Sequence, residues 1–289
     1  MILAVFAPLL IGAKAVFFGD LQVDRGVRLV LKGRDPSVLL TSTQSIRDEA
    51  DFALVNLESP LCDSTLPAIP KRYSLRSDGS LAKTLAKAKF THAILANNHS
   101  LDRGVAGLAQ TLRALHEAQI SPVGASLSGD PCKPALLTKG ADTIAVLALV
   151  VLPGIDSRHL CADASRVEAH LRTLRSRQIP SIVSLHWGSE FSPGVDSQQI
   201  RLARTLVASG ASALVGHHAH VVQQEVGVSP SIVEGIPVWY GLGNFIFDQW
   251  QPWTARAQVA QVTLDAGLWK WRTIELVRKG PWVKMVDSR

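Results

Sequence analysis

Gly216-His217-His218-Ala219-His220 follows directly on the apolar run Ala213–Gly216, so a strand-length segment ends in a cluster of imidazoles. His218 and His220 stand two residues apart, a spacing that lets both rings point to one face of a strand end or tight turn. Working outward, other apolar runs end the same way. Ala15–Gly19 runs into Gly19-Asp20, Phe52–Asn56 into Asn56-Leu57-Glu58, His92–Ala96 into Asn97-Asn98-His99, and Ile182–His186 into His186-Trp187-Gly188. In an open α/β sheet the crevice outside the strand carboxyl ends is where ligands bind. Five of the nine histidines (99, 186, 217, 218 and 220) lie at such ends, which makes coincidence a poor explanation.

Between the runs lie amphipathic stretches. Val105, Leu108, Leu112 and Leu115 fall at helical spacing, as do Val167, Leu171 and Leu174, and Ile200, Ala203, Leu206 and Val207. Ser165 with Glu168 has the form of a capping box, Asp196 with Gln199 a looser one; Pro180 stops the second of these helices and Gly210 ends the third. Alternation of strands and helices indicates an α/β fold with parallel strands. After Phe245 the pattern changes to Ala257–Leu264 and Trp269–Leu276, alternating segments expected to be antiparallel strands closing the sheet system. No internal repeat interrupts residues 15–289, which are expected to form one domain; the stretches at 59–80, 121–134 and 226–237 read as loops within it.

The chain has 289 residues, 47% apolar and 19% charged, enough for a large core and far from the composition of disorder. Thirty Lys and Arg against 24 Asp and Glu give +6, a mild excess that suits an anionic ligand, a polyanion or a membrane surface. Basic residues are dispersed rather than interleaved with aromatics, so nucleic acid is not an expected partner. Cys62, Cys132 and Cys161 are odd in number and form no C-x-x-C pair, so no disulfide framework is expected. Residues 1–14 form an apolar N-terminal segment, and Ala13-Lys14-Ala15 has the small-x-small form of a signal-peptidase site. No basic residue precedes the apolar run and Pro8 interrupts it, so a cytoplasmic location is favoured, with export or membrane association through residues 1–15 as the alternative.

Neutral imidazoles joined by Asp and Glu oxygens suit Zn, Fe, Mn or Ni and are poor for Ca or Cu(I). Donors drawn from several strand ends, with no thiolate among them, describe a catalytic site with open positions rather than a closed structural zinc site. Each residue also has a plainer explanation. His186 beside Trp187 alone would be a core histidine, Asp20 could cap the turn that follows it, and Asn97 could bond the backbone. His92, His116, His159 and His170, lying elsewhere, read as structural.

Phe17-Phe18-Gly19-Asp20, Asn56-Leu57-Glu58-Ser59-Pro60-Leu61, Ala96-Asn97-Asn98-His99-Ser100-Leu101-Asp102-Arg103-Gly104, Ser184-Leu185-His186-Trp187-Gly188-Ser189-Glu190, Gly216-His217-His218-Ala219-His220-Val221-Val222-Gln223 and Tyr240-Gly241-Leu242-Gly243-Asn244-Phe245 resemble, in order, the motifs of the capsule-synthesis CapA family. That family is associated with poly-γ-glutamate capsule production and is similar to the calcineurin-like metallophosphoesterases. The resemblance covers residues 15 to 250. It implies a four-layer α/β/β/α sandwich of the metallo-dependent phosphatase type, carrying one or two divalent ions of Mn, Fe or Zn.

Carried over by position, the resemblance makes Asp20, Asn98, His186, His218 and His220 metal ligands, with Glu58 where the phosphoesterases have a bridging Asp. His99 would be the histidine that meets the substrate without binding metal. Asn97, Asp102, Glu190, His217 and Asn244 are expected to support the ligands or touch substrate. One departure stands out: Gln22 occupies the place of the usual first-motif histidine, so one metal position lacks an imidazole. Lys71, Arg72 and Arg76, in the loop after Glu58, are either contacts for an anionic substrate or a solvated face.

The expected function is metal-dependent hydrolysis of a phosphoester or amide bond in an anionic small molecule or polymer. The rival is a non-catalytic capsule-assembly component that uses the same rim to bind acidic polymer or its synthetase.

Overall fold

The structure, a computed structural model, describes residues 12–224 and 229–286. Most of the apolar N-terminal segment, residues 1–11, lies outside the described residues. The strands are β1 (Ala13–Leu21), β2 (Phe52–Leu57), β3 (His92–Ile94), β4 (Ser121–Val123), β5 (Ala135–Lys139), β6 (Asp142–Val150), β7 (Ser181–His186) and β8 (Ala213–His217). They continue with β9 (Val222–Gln223), β10 (Ser231–Val233), β11 (Ile236–Trp239), β12 (Gly241–Leu242), β13 (Asn244–Ile246), β14 (Arg256–Asp265), β15 (Leu268–Lys279) and β16 (Trp282–Met285). The helices are α1 (Arg25–Leu31), α2 (Gln44–Asp48), α3 (Leu81–Lys87), α4 (Gly104–Glu117), α5 (Ala164–Ser176) and α6 (Ser197–Ser209).

Two large sheets result. The first runs β16-β15-β14-β1-β2-β3-β4, and the second β10-β11-β8-β7-β6-β5. β1 to β4 are mutually parallel, and β14, β15 and β16 extend that sheet in antiparallel fashion, as the alternating C-terminal pattern predicts. In the second sheet β6, β7, β8 and β11 are parallel and the edges β5 and β10 antiparallel.

Side-chain alternation along β1 makes the layers. Ala15 and Phe17 point into a core shared with Val146, Ala148 and Val215 of the second sheet, while Val16 and Phe18 face Leu85 and Leu108 of α3 and α4. Leu171 of α5 and Leu206 of α6 seal the far side of the second sheet. The order is helices, sheet, sheet, helices, the four-layer α/β sandwich that the resemblance implies.

Two local expectations change. The Asp196–Gln199 capping box and the left-handed Gly210 cap of α6 are present, but α5 is capped by Asp163, whose carboxylate accepts from the backbone of Ser165 and Arg166. Ser165 is already inside the helix and its hydroxyl also donates to Asp163 (2.6 Å). The run Val238–Leu242 divides between β11 and β12, which pair in different sheets.

Against the expectation of no disulfide, Cys132 and Cys161 are bonded. Their loops meet through an antiparallel bridge between Ala125 and Leu160 and the hydrogen bonds Ser126 N→His159 O and Cys161 N→Gly124 O. That register is a tertiary property that spacing alone does not carry. Cys62 is free and buried. Closing a loop over a 29-residue separation should contribute about 2–4 kcal/mol. Denaturant unfolding of Cys132→Ser should therefore show a loss of that size, and an unchanged midpoint would refute it.

Candidate metal centre

The carboxyl ends of β1, β2, β3, β7 and β8 meet where the two sheets face one another, and the polar clusters come together there. The turns that do this are sterically demanding. A Cβ on Gly19 would lie 2.0 Å from Gly243 O, and one on Gly216 would lie 1.8 Å from Tyr240 O, so glycine alone permits these close approaches. His218 and His220 hold left-handed φ values of 84° and 58°, a strain on the order of 1–3 kcal/mol each that concentrates at functional sites.

Asp20, at the end of β1, is fully buried. Its Oδ1 accepts from Asn56 Nδ2 (2.7 Å) and lies 3.2 Å from His217 Nδ1, and its Oδ2 lies 3.3 Å from His220 Nδ1. Glu58, also fully buried, places Oε1 3.7 Å from His186 Nε2 and 3.9 Å from Nε2 of both His99 and His220. Neither Glu58 oxygen has a hydrogen-bond partner. Two groups have ligand atoms within 4.8 Å of one another, Glu58 with His186 and His218, and Asp20 with Glu58 and His220. Glu58 is common to both. Asn98 adjoins the first group, its Oδ1 lying 2.9 Å from His186 Nε2.

Supporting residues set the ring orientations. Asn244 Nδ2 donates to Gln249 Oε1 (2.9 Å), which turns Asn244 Oδ1 towards His220 Nδ1 (2.8 Å) and leaves His220 Nε2 facing Glu58. Asn97 donates to Asn56 Oδ1 and Leu57 O, and accepts from His99 N, tying the turn after β3 to β2. His217 stands behind Asp20 and does not join either ligand group.

His99 lies beside the ligand groups without belonging to them. Its Nδ1 is 2.7 Å from Asp102 Oδ2, and Nε2 is turned towards Glu58 and the cleft. Asp102 in turn accepts from Leu75 N and pairs with Lys71, whose ammonium also donates to Asn98 O. Of the loop cations, Lys71 is thus held by Asp102, Arg76 by Cys62 O (2.9 Å), and Arg72 stacks on Tyr73 (5.2 Å). Glu190 lies on the cleft wall and makes no hydrogen bond to an imidazole among the described residues. Gln22 points away from the ligand groups: its amide donates to Asp248 Oδ1 (2.9 Å) and accepts from Asp24 N.

Burial sets the protonation states. Burial alone would raise Asp20, but hydrogen bonds and charge from His217 and His220 hold its carboxyl well below the usual range. Glu58 is pushed well above its ordinary value by burial and then by the charges of Asp20, Glu190 and Asp102. Burial and neighbouring imidazoles push His186 far down and His218 to about 4; burial also lowers His99 despite Asp102. His186 and His218 are therefore neutral, with lone pairs free, and Glu58, buried without a hydrogen-bond partner, lacks a compensating charge. A divalent cation would supply it.

Sequence reading passed over Asn56, Arg25, Asp248 and Gln249. Only Asn56 left a signal in the sequence, standing two residues before Glu58 at the end of an apolar run.

The sequence profile of the bacterial capsule synthesis protein family PGA_cap matches residues 14–249. The chain belongs to this family. It is 28% identical over 262 residues to the PGA biosynthesis protein CapA of Bacillus subtilis, a match covering 86% of this chain and 66% of that protein. It is 26% identical over 260 residues to the capsule biosynthesis protein CapA of Bacillus anthracis, covering 84% and 61%. The chain thus spans less than two thirds of the length of these CapA relatives. A phosphatase of Mycoplasma pneumoniae has the same fold, with a TM-score of 0.59 at 11% identity over 93% of this chain and 95% of that one. The PGA_cap chain is therefore an α/β protein of metallophosphoesterase-like fold with residue groups able to hold metal. No helix among the described residues is long and apolar enough to cross a membrane.

Proposed function

We propose that this chain is a metal-dependent hydrolase of the phosphoesterase-like type, acting on an anionic substrate in capsule or poly-γ-glutamate production. One observation carries the proposal: both oxygens of Glu58 are buried without a partner, between an Asp20–His220 group and a His186–His218 group. Such a carboxylate, shared by two donor sets, fits one ion or a pair, with Mn, Fe and Zn suited to the oxygen and imidazole mixture. When bound, the ion supplies Lewis-acid polarisation of the scissile group and lowers the pKa of water. Asp20, Glu58 and His220 would hold one position, and Glu58, Asn98, His186 and His218 the other.

The remaining chemistry belongs to the protein. Asp102 accepts a hydrogen bond from Nδ1–H of His99, so in the protonated ring Nε2–H is the group that donates to or protonates the departing oxygen. Lys71 holds Asp102 in place. Asn244 orients His220, and His217 with Asn56 orients Asp20. Residues 15–289 are taken as one unit, because β14 to β16 continue the sheet of β1. The Cys132–Cys161 pair supports an oxidising compartment over the cytoplasm.

Elemental analysis of the purified chain, with phosphoester and γ-glutamyl substrates assayed with and without chelator, tests the proposal. Metal-dependent turnover is expected. Stoichiometric metal with no turnover, together with acidic-polymer binding that survives chelation, would replace it with an assembly role. Because Glu58 is raised while His186 and His218 are lowered, metal entry should displace a proton held by Glu58 rather than by these two histidines. Calorimetry at pH 6 in buffers of different ionisation enthalpy should register proton release on metal binding, increasing as the pH falls towards the ordinary carboxyl range. No release would argue against Glu58 as a shared ligand.

A further inference from the structure

A cleft of about 290 Å³ opens over His99 and His220, and the only Lys or Arg on its wall among the described residues is Arg25. Arg25 begins α1 with a left-handed φ of 42°, a conformation that a side-chain-bearing residue rarely adopts. Its guanidinium is fixed from two sides. Nη2 donates to Asp248 Oδ1 at 2.5 Å, and the group stacks 5.5 Å from the centroid of the Tyr73 ring. Asp248 is itself held by Gln22 Nε2 (2.9 Å) and Gly26 N (3.3 Å). Gln22, which stands where the resemblance places a metal-binding imidazole, is thus part of the support of a cleft arginine.

The ion pair leaves the guanidinium unsatisfied. Five N–H donors are available, Asp248 engages Nη2, and Nε is buried with no partner. The side chain stays 33% exposed towards the cleft, so a second acceptor can reach it. Tyr73, Phe191 and Phe247 supply apolar walls, and Gln249 and Gln251 supply amides. A planar or tetrahedral anion matches the fork of an arginine held in this way.

The geometry points to Arg25 as an anion subsite that binds a carboxylate or phosphate group of the substrate beside the bond presented to His99. Gln22 and Asp248 are its positioning residues. This inference rests on the hydrolase reading for its orientation, and Arg25 determines which substrates enter the cleft.

The test uses the full chain loaded with Mn²⁺ and three probes: γ-glutamyl-glutamate, the same dipeptide with the carboxylates of its second residue amidated, and inorganic phosphate. Calorimetry should show the wild type preferring the carboxylate dipeptide. Arg25→Gln should weaken that probe at least tenfold, leave the amidated probe and the metal stoichiometry unchanged, and so abolish the preference. Gln22→Ala should shift binding the same way by a smaller factor. A preference retained in Arg25→Gln, or no anion binding by the wild type, overturns the subsite.

Should Arg25→Gln fail to fold, phenylglyoxal labelling of the wild type read by peptide mass spectrometry decides. Protection of Arg25 by the dipeptide or by phosphate is expected, the better protector identifying the anion, and no protection by either overturns the subsite. Arg25-dependent anion binding in a wild type that takes up no metal would sink the hydrolase reading alone. Metal-dependent turnover without Arg25 dependence would sink the subsite alone.

Discussion

His218→Asn is expected to lose divalent metal from the group built on Glu58 and His186, and turnover should fall about a thousandfold, or ~4 kcal/mol of transition-state stabilisation. Asparagine is the informative replacement. His218 sits at a φ of 84°, where asparagine is tolerated and alanine is strained, so the variant keeps the turn and removes the ring. The ring is a strong ligand candidate because burial and His220 hold its pKa at about 4, leaving it neutral above that pH. Below pH 6.5 an unfolded chain would take up this proton before the folded one, so the metal-free wild type loses stability on this account between pH 6.5 and about 4. His218→Asn should lack that loss. Elemental analysis, steady-state rates and the pH dependence of unfolding give three separate readings. Full metal content with unchanged rate would remove His218 from the centre.

Much of this centre was legible because strand-end chemistry is local. An apolar run followed by His, Asp, Asn or Glu marks its own carboxyl end, and parallel strands bring such ends to one edge. Asp20, Glu58, Asn98, His186, His218 and His220 were all visible in this way. What was hidden depends on register between distant segments. Asn56 acquires its part only when β1 and β2 align Asp20 with it, and Cys132 finds Cys161 only when two loops pair. Asp248 bonds Gln22 across 226 positions of sequence, so neither residue advertises the contact. Glu190 was left with two roles by its motif, support of a ligand histidine or contact with substrate, and the turn after β7 carries it to the cleft wall. The cap of α5 failed on a smaller scale, since the helix begins two residues earlier than a Ser165 cap would allow, with the Asp163 carboxylate accepting from the backbone of Ser165 and Arg166.

His99→Gln is expected to keep the metal and lose 10²- to 10⁴-fold in turnover, the range a positioned proton donor supplies. The geometry separates it from the ligands. His99 shares no ligand group with Asp20, His186, His218 or His220, yet its Nε2 stands 3.9 Å from Glu58 and borders the cleft. Its Nδ1 is committed to Asp102, so loss of the ring cannot be covered by that carboxylate, which is fully buried behind it. Asp102→Asn should act in the same direction but less severely, because an amide can still contact Nδ1 while ceasing to stabilise a protonated imidazole. The two variants should also differ in pH dependence. With Asp102 gone, burial lowers His99 unopposed, so an activity limb that depends on protonated His99 moves to lower pH. A substrate with a good leaving group needs less help from His99 and should recover part of the rate in His99→Gln. Equal losses of metal in His99→Gln and His218→Asn would contradict this division of labour, since one imidazole is placed to hold the ion and the other to meet the substrate.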